Sequence, residues 1–133
     1  MSNQSSVEIL TEWDIVAARQ LGRNVAKELG FGTVDQARIT TAISELARNI
    51  YLYAGQGRIE IQQLSENGIK GILIIAADQG PGIPDIRKVM EDGFSTSGGL
   101  GAGLPGVKRL MDEFKIDTIP GEGTDIRATK WLR

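Results

Sequence analysis

The chain has 133 residues, 15 Lys and Arg against 17 Asp and Glu, a net charge of −2, and neither Cys nor His. It reads as a single globular domain over residues 1–133. Thiol nucleophiles, thiolate zinc sites, imidazole bases and Ser-His-Asp triads are excluded. The charge offers no bulk attraction to nucleic acid or to an anionic membrane, and no apolar run is long enough to span a bilayer. The opening Met-Ser-Asn-Gln-Ser-Ser lacks the basic and apolar regions of a signal peptide, so the expected compartment is cytoplasmic.

Residues 7–10 read as a short strand. Thr11 then caps a helix, with Asp14 as a capping-box variant. Ile15, Ala18, Gly22, Val25 and Leu29 recur at helical spacing, and Gly30 stops the run. A second helix is predicted from Thr33, with Gln36 completing a capping box. Its apolar stripe is Ile39, Ile43, Leu46, Ile50 and Tyr53, and Gly55 ends it.

Arg58-Ile-Glu-Ile-Gln62 alternates as a half-buried strand, and Glu66-Asn67-Gly68 signals a hairpin turn. The returning strand, residues 71–77, is almost wholly apolar, predicts a central place in a sheet, and delivers Asp78 at its end. A short helix over residues 86–91, a glycine-rich loop and a helix from Pro105 follow. Residues 115–119 and 124–131 form a closing strand pair around the 121–123 turn. The order predicts an α/β (α+β) two-layer sandwich, helices packed on one face of a mixed sheet.

Four short elements carry the chemistry. Glu45 and Asn49, in Glu45-Leu-Ala-Arg-Asn49, are one helical turn apart and point the same way. At ~100° per residue they flank the apolar stripe, beside a possible cleft between helix and sheet. Both are oxygen donors of the kind Mg²⁺ prefers. Read alone, the plainer account is that Glu45 is a solvated helix charge and Asn49 a polar boundary residue. Asp78-Gln-Gly80-Pro-Gly82 ends a buried strand, so its carboxylate either caps a turn or accepts a hydrogen bond from an exocyclic amine.

Gly98-Gly99-Leu-Gly101-Ala-Gly103-Leu104, just before Pro105, frees backbone N–H groups at a helix N-terminus, where the dipole favours anions; the plain alternative is a linker loop. Gly121-Glu-Gly123-Thr124 is a hairpin turn whose Thr124 is placed to reach a ligand. The G-x-G-x-x-G within Gly101–Gly106 is not a dinucleotide fingerprint, because loop rather than strand precedes it. No Gly-Lys-Ser/Thr occurs, so there is no Walker A sequence.

In this order the set resembles the Bergerat-type nucleotide site of gyrase, the Hsp90 chaperones, histidine kinases and the MutL proteins. Glu45 and Asn49 match its N box, and the three glycine elements its first, second and third glycine boxes. The resemblance covers roughly residues 33–126 and implies ATP with Mg²⁺. It implies Glu45 as general base, Asn49 as Mg²⁺ ligand and Asp78 as acceptor of the adenine amine. Gly80, Gly82, Gly99, Gly101, Gly103, Leu104 and Thr124 would complete the nucleotide-binding set.

Without dimerisation helices, transducer or phospho-accepting His, the chain is similar to the small serine kinases of bacterial partner-switching systems, in particular the switch kinases of the stressosome. That likeness implies phosphorylation of Ser or Thr on STAS-domain antagonist and scaffold proteins in a stress response, and binding and activation of a PP2C-type phosphatase. The alternative within the same fold is an anti-sigma factor serine kinase that sequesters a sigma factor. Where relatives carry a basic or His residue four after the N-box Asn, this chain has Tyr53, which leaves a phosphate-neutralising cation to be found among Arg23, Lys88 and Lys108.

Overall fold

A computed structural model describes residues 4–83, 90 and 103–133. The element order is β1 (Gln4–Ile9), α1 (Glu12–Leu29), α2 (Thr33–Tyr53), β2 (Gly57–Glu66), β3 (Ile69–Asp78), α3 (Gly103–Leu110), β4 (Glu113–Ile119) and β5 (Gly123–Trp131). The predicted helix over 86–91 and the loop positions Gly98, Gly99 and Gly101 lie outside the described residues, as does Lys88.

The start of α1 forms as its sequence dictates. The Asp14 carboxylate accepts the N–H groups of Leu10 and Thr11 at 2.9 and 2.8 Å, satisfying donors that the helix cannot use itself. Gly30 ends the helix at φ 101, open to a residue without Cβ. The cap expected for α2 differs. Its N-cap is Gly32, and the Gln36 side chain donates to the Phe31 carbonyl at 2.8 Å instead of closing a box with Thr33. A glycine at the N-cap lets the helix begin one residue earlier than the Thr33 signal implied.

The sheet runs β1-β2-β3-β5-β4, and every pairing is antiparallel. A mixed sheet was the expectation, and a helix-bearing crossover from β3 to β4 does leave two strands that should run the same way. They do, but the chain leaves a gap between them, and β5 fills it antiparallel to both. The two-layer sandwich stands as expected. Asn67 (φ 52) and Gly68 (φ 80) both adopt left-handed backbone at the β2–β3 hairpin, the geometry of a tight primed turn.

One sheet face supplies the core. Ile59, Ile61, Ile72, Ile74, Ile126 and Ala128 meet Ala18, Ile39, Ile43, Leu46 and Ile50 of the helices, all of them buried. Gly22 lets α1 and α2 close, since a Cβ there would collide with the end of Ile43. Tyr53 is 52% exposed rather than part of the stripe. It stands ~60° round the helix from Ile50, and Ala54 takes the inward contact, against Gly80. None of the described helices is long and apolar enough to cross a membrane.

Candidate functional site

Helix α2 is the middle helix of its layer, touching α1, α3 and the sheet. That position buries the flank beside the apolar stripe. Glu45 is 3% and Asn49 8% exposed, so both are enclosed rather than lining an open groove. Glu45 has an ion-pair partner, the Arg48 guanidinium at 3.1 Å. No described residue hydrogen-bonds the Asn49 side chain. A buried amide without a partner is costly by about 1–3 kcal/mol, and natural chains retain one where something else fills the role.

Asp78 ends β3 opposite Gly57 on one side and Thr124 on the other. Its Oδ1 accepts the Gly80 N–H at 2.9 Å, and the Thr124 backbone also hydrogen-bonds the carboxylate. Burial pushes the carboxyl above its ordinary range, and these two bonds pull partly the other way. The turn is crowded enough to require its glycines. A Cβ on Gly80 would sit 2.8 Å from the Ala54 Cα, and one on Gly82 (φ +78) 2.7 Å from the Ile119 carbonyl oxygen. A Cβ on Gly123 would collide with the Asp78 carbonyl oxygen. The Gly121 N–H donates to the Pro81 carbonyl at 2.7 Å, which binds the first glycine turn to the third.

A cavity of about 780 Å³ opens at this end of the sheet, lined among others by Asp78, Gly57, Glu122, Gly123 and Thr124. Asp78 and Thr124 line it together, whereas Gly80 and Gly82 do not; Gly80 joins Asp78 through the turn itself, by its N–H. Glu45 and Asn49 do not line that cavity. They connect to it through the next residue, Ile50: a Cβ on Gly57 would lie 2.7 Å from Ile50 Cγ2 and 3.0 Å from Asp78 Cβ. Gly103 (φ 63) opens α3, and the Leu104 side chain is 1% exposed in the core, so only its backbone is left for a ligand.

The described residues hold no group of three His, Cys, Asp or Glu suited to a metal. A cation bound here would take most of its ligands from phosphate and water, as Mg²⁺ does, and the unpartnered Asn49 amide fits one such position.

Residues 34–133 match the family described as histidine kinase-, DNA gyrase B- and HSP90-like ATPase. The chain belongs to that family.

Within this ATPase family, the chain is 80% identical over all 133 residues, the full length of both proteins, to the serine/threonine-protein kinase RsbT of Bacillus subtilis (strain 168). At that likeness it is a serine/threonine-protein kinase, one that uses ATP. It is also 35% identical over 101 residues to the anti-sigma F factor of Thermoanaerobacter sp. (strain X514), covering 72% of this chain and 70% of that one. Its fold superposes, with a TM-score of 0.59 and 21% identity, on the RsbU and RsbW domains of Rv1364c from Mycobacterium tuberculosis, across 97% of this chain and 33% of the longer one.

Two residues in contact with candidate site residues were missed from sequence. Arg48 stands within the Glu45–Asn49 segment at i+3 from Glu45, a spacing that pairs side chains on any helix. Thr118 faces Thr124 across the β4–β5 hairpin, which strand register alone would have indicated. Of the cations considered, Arg23 and Lys108 are solvent-exposed.

Proposed function

We propose that this kinase moves the γ-phosphoryl group of Mg-ATP to a Ser or Thr hydroxyl of STAS-domain antagonist and scaffold proteins. In a second role it binds and activates a PP2C-type phosphatase, as one element of a partner-switching stress response. The observation that carries the site assignment is the buried Asn49 amide, unpartnered among the described residues and one turn from a buried carboxylate.

Asp78 accepts the exocyclic amine of adenine, and the turns containing Gly80, Gly82 and Gly123 let backbone come close around it. Thr124 supports the base beside Asp78. Backbone N–H groups of Gly103 and Leu104 hold phosphate at the start of α3, and Gly99 and Gly101, outside the described residues, are assigned to the same role from the sequence. Mg²⁺ would be held by Asn49, and when bound it neutralises phosphate charge. Glu45 takes the proton of the attacking hydroxyl as its oxygen bonds to the γ-phosphorus. The bond to the β–γ bridging oxygen breaks, and ADP departs with that electron pair. Arg48 holds the Glu45 carboxylate in one orientation while this occurs.

The likeness to anti-sigma F factors supports a second reading, an anti-sigma kinase; it is weaker in identity and in coverage than the likeness to RsbT.

The test is incubation with Mg-ATP and a purified STAS-domain protein, followed by mass spectrometry of the acceptor and a phosphatase assay with a PP2C-type partner. Phosphoserine or phosphothreonine together with phosphatase activation is expected. Transfer of the γ-phosphoryl group to water, with no phosphorylated STAS-domain protein, would overturn the acceptor assignment. Retention of a sigma factor with no effect on the phosphatase would favour the anti-sigma reading.

A further inference from the structure

We infer that Thr118 sets the nucleotide-base specificity of the site by fixing the Thr124 hydroxyl as a hydrogen-bond acceptor. The inference rests on the reading of Asp78 and Thr124 as the end of the site that recognises the base.

Three polar atoms surround Thr118 Oγ1: the Ile83 nitrogen at 2.9 Å, the Gly123 carbonyl oxygen at 3.1 Å and Thr124 Oγ1 at 3.0 Å. A threonine hydroxyl has one proton to give and two lone pairs to fill. The Ile83 N–H can only donate, so it takes one lone pair. The Gly123 carbonyl can only accept, so it takes the proton of Thr118. What is left on Thr118 is a single lone pair, and the Thr124 contact can use it only if Thr124 donates. The proton of Thr124 is therefore committed to Thr118. Any other assignment leaves two oxygens facing each other at 3.0–3.1 Å with no proton between them.

The consequence falls on what Thr124, which lines the cavity with Asp78, can offer a ligand. With its proton spent, Thr124 offers a ligand only lone pairs. Its neighbour across the β3–β5 register is Asp78, whose ionised carboxylate is acceptor-only as well. Two acceptors side by side select a donor. A purine with a 6-amino group supplies one, and a purine with a 6-oxo group sets an oxygen against both. Without the hydroxyl of Thr118, the Thr124 proton is free to turn toward the ligand and serve a 6-oxo group. Thr118 is thus a positioning residue, acting through Thr124 without touching the base.

The test compares ATP with inosine triphosphate, which has a 6-oxo group, by calorimetric affinity for wild type, Thr118→Val and Thr118→Ser. Thermal melts confirm that each protein is folded. Wild type should prefer ATP. Thr118→Val, nearly isosteric but without the hydroxyl, should narrow that preference by about tenfold, the worth of a lost hydrogen bond to an oriented group. Thr118→Ser keeps the hydroxyl and should retain the preference. Should the valine protein not fold, Thr118→Cys, a weak donor and acceptor, carries the same comparison. A purely structural role would weaken both nucleotides alike, so an unchanged ATP-to-inosine ratio in the folded variant overturns the inference, as does loss of the ratio in Thr118→Ser. A wild type that shows no preference for ATP would instead overturn the underlying reading of Asp78 and Thr124.

Discussion

Glu45 and Asn49 lie one turn apart on the same buried flank of α2, yet only Glu45 has a partner: Arg48 holds its carboxylate at 3.1 Å, while no described residue hydrogen-bonds the Asn49 amide. The asymmetry fits a helix in which one side chain must be held and the other must stay available. Asn49→Leu, close in size and apolar, should raise the stability of the nucleotide-free protein by roughly 1 kcal/mol, because it removes an unsatisfied buried group. The same variant should lose the thermal shift that Mg-ATP produces in wild type. Melts with and without Mg-ATP read both effects, and a destabilised variant that still responds to Mg-ATP would contradict the assignment.

Glu45→Gln keeps the shape of the side chain and removes its basicity. Phosphotransfer should fall by ~10²–10⁴-fold with ATP affinity held within a few-fold. Kinase assays and calorimetry on the same preparation separate the two. Equal losses of binding and turnover would assign Glu45 to holding the nucleotide rather than to proton transfer.

Asp78→Asn should weaken ATP binding by ~10–150-fold, the cost of a charge-strengthened hydrogen bond. Its effect on the nucleotide-free protein has the opposite sign. Burial raises the folded-state pKa of Asp78, so its contribution to stability is present below the ordinary carboxylate range and lost as pH rises through the raised value. The variant should therefore gain stability relative to wild type between acid and neutral pH, and the difference should close in acid. Denaturant titrations across that window test the sign.

Asp14 gives the reverse profile. The Leu10 and Thr11 N–H groups lower its pKa, so what it contributes is present above the unfolded value and lost as pH falls through the lowered one. Asp14→Ala should be less stable than wild type at neutral pH, with the gap shrinking in acid. A gap that stays constant with pH would show that the carboxylate charge is not the cause.

Gly123→Ala should cost about 1–3 kcal/mol, since φ is +145 and the new Cβ meets the Asp78 carbonyl oxygen. Because that strain falls where β3 pairs with β5, ATP affinity should drop with stability. Unchanged affinity in a destabilised variant would show that Asp78 is positioned independently of the third glycine turn.

Much of the fold is legible from local rules. Thr11 with Asp14, and Asn67 with Gly68, need only their immediate neighbours, and both form as read. Glu45, Asn49 and Asp78 were singled out by order and spacing, but the burial of Glu45 and Asn49 was not legible. Spacing locates a side chain on a helix face and says nothing of what the neighbouring helices and sheet do to that flank. The Thr33–Gln36 cap differed because Gly32, with no side chain to offer, takes the N-cap while Gln36 finds the Phe31 carbonyl. The sheet was read as mixed because the insertion of β5 between β3 and β4 is a long-range choice that no window of residues contains. The pairing of Thr118 with Thr124 was open to reading from the β4–β5 register, but its bond from Ile83, 35 residues away, was not.

That insertion also sets an order of events. β5 is made after β3 and β4, yet it occupies the slot between them. A chain emerging from the ribosome can form the β2–β3 hairpin as soon as both strands are free, but β4 has no neighbour to pair with until β5 has been synthesised. Until then β3 presents an open edge, a long apolar strand of the kind that captures other chains. Thr124 and the partner it finds in Asp78 are joined only when that edge closes. With the base held by Asp78 and Thr124 as proposed, nucleotide recognition would be acquired late in folding, only once the sheet is complete.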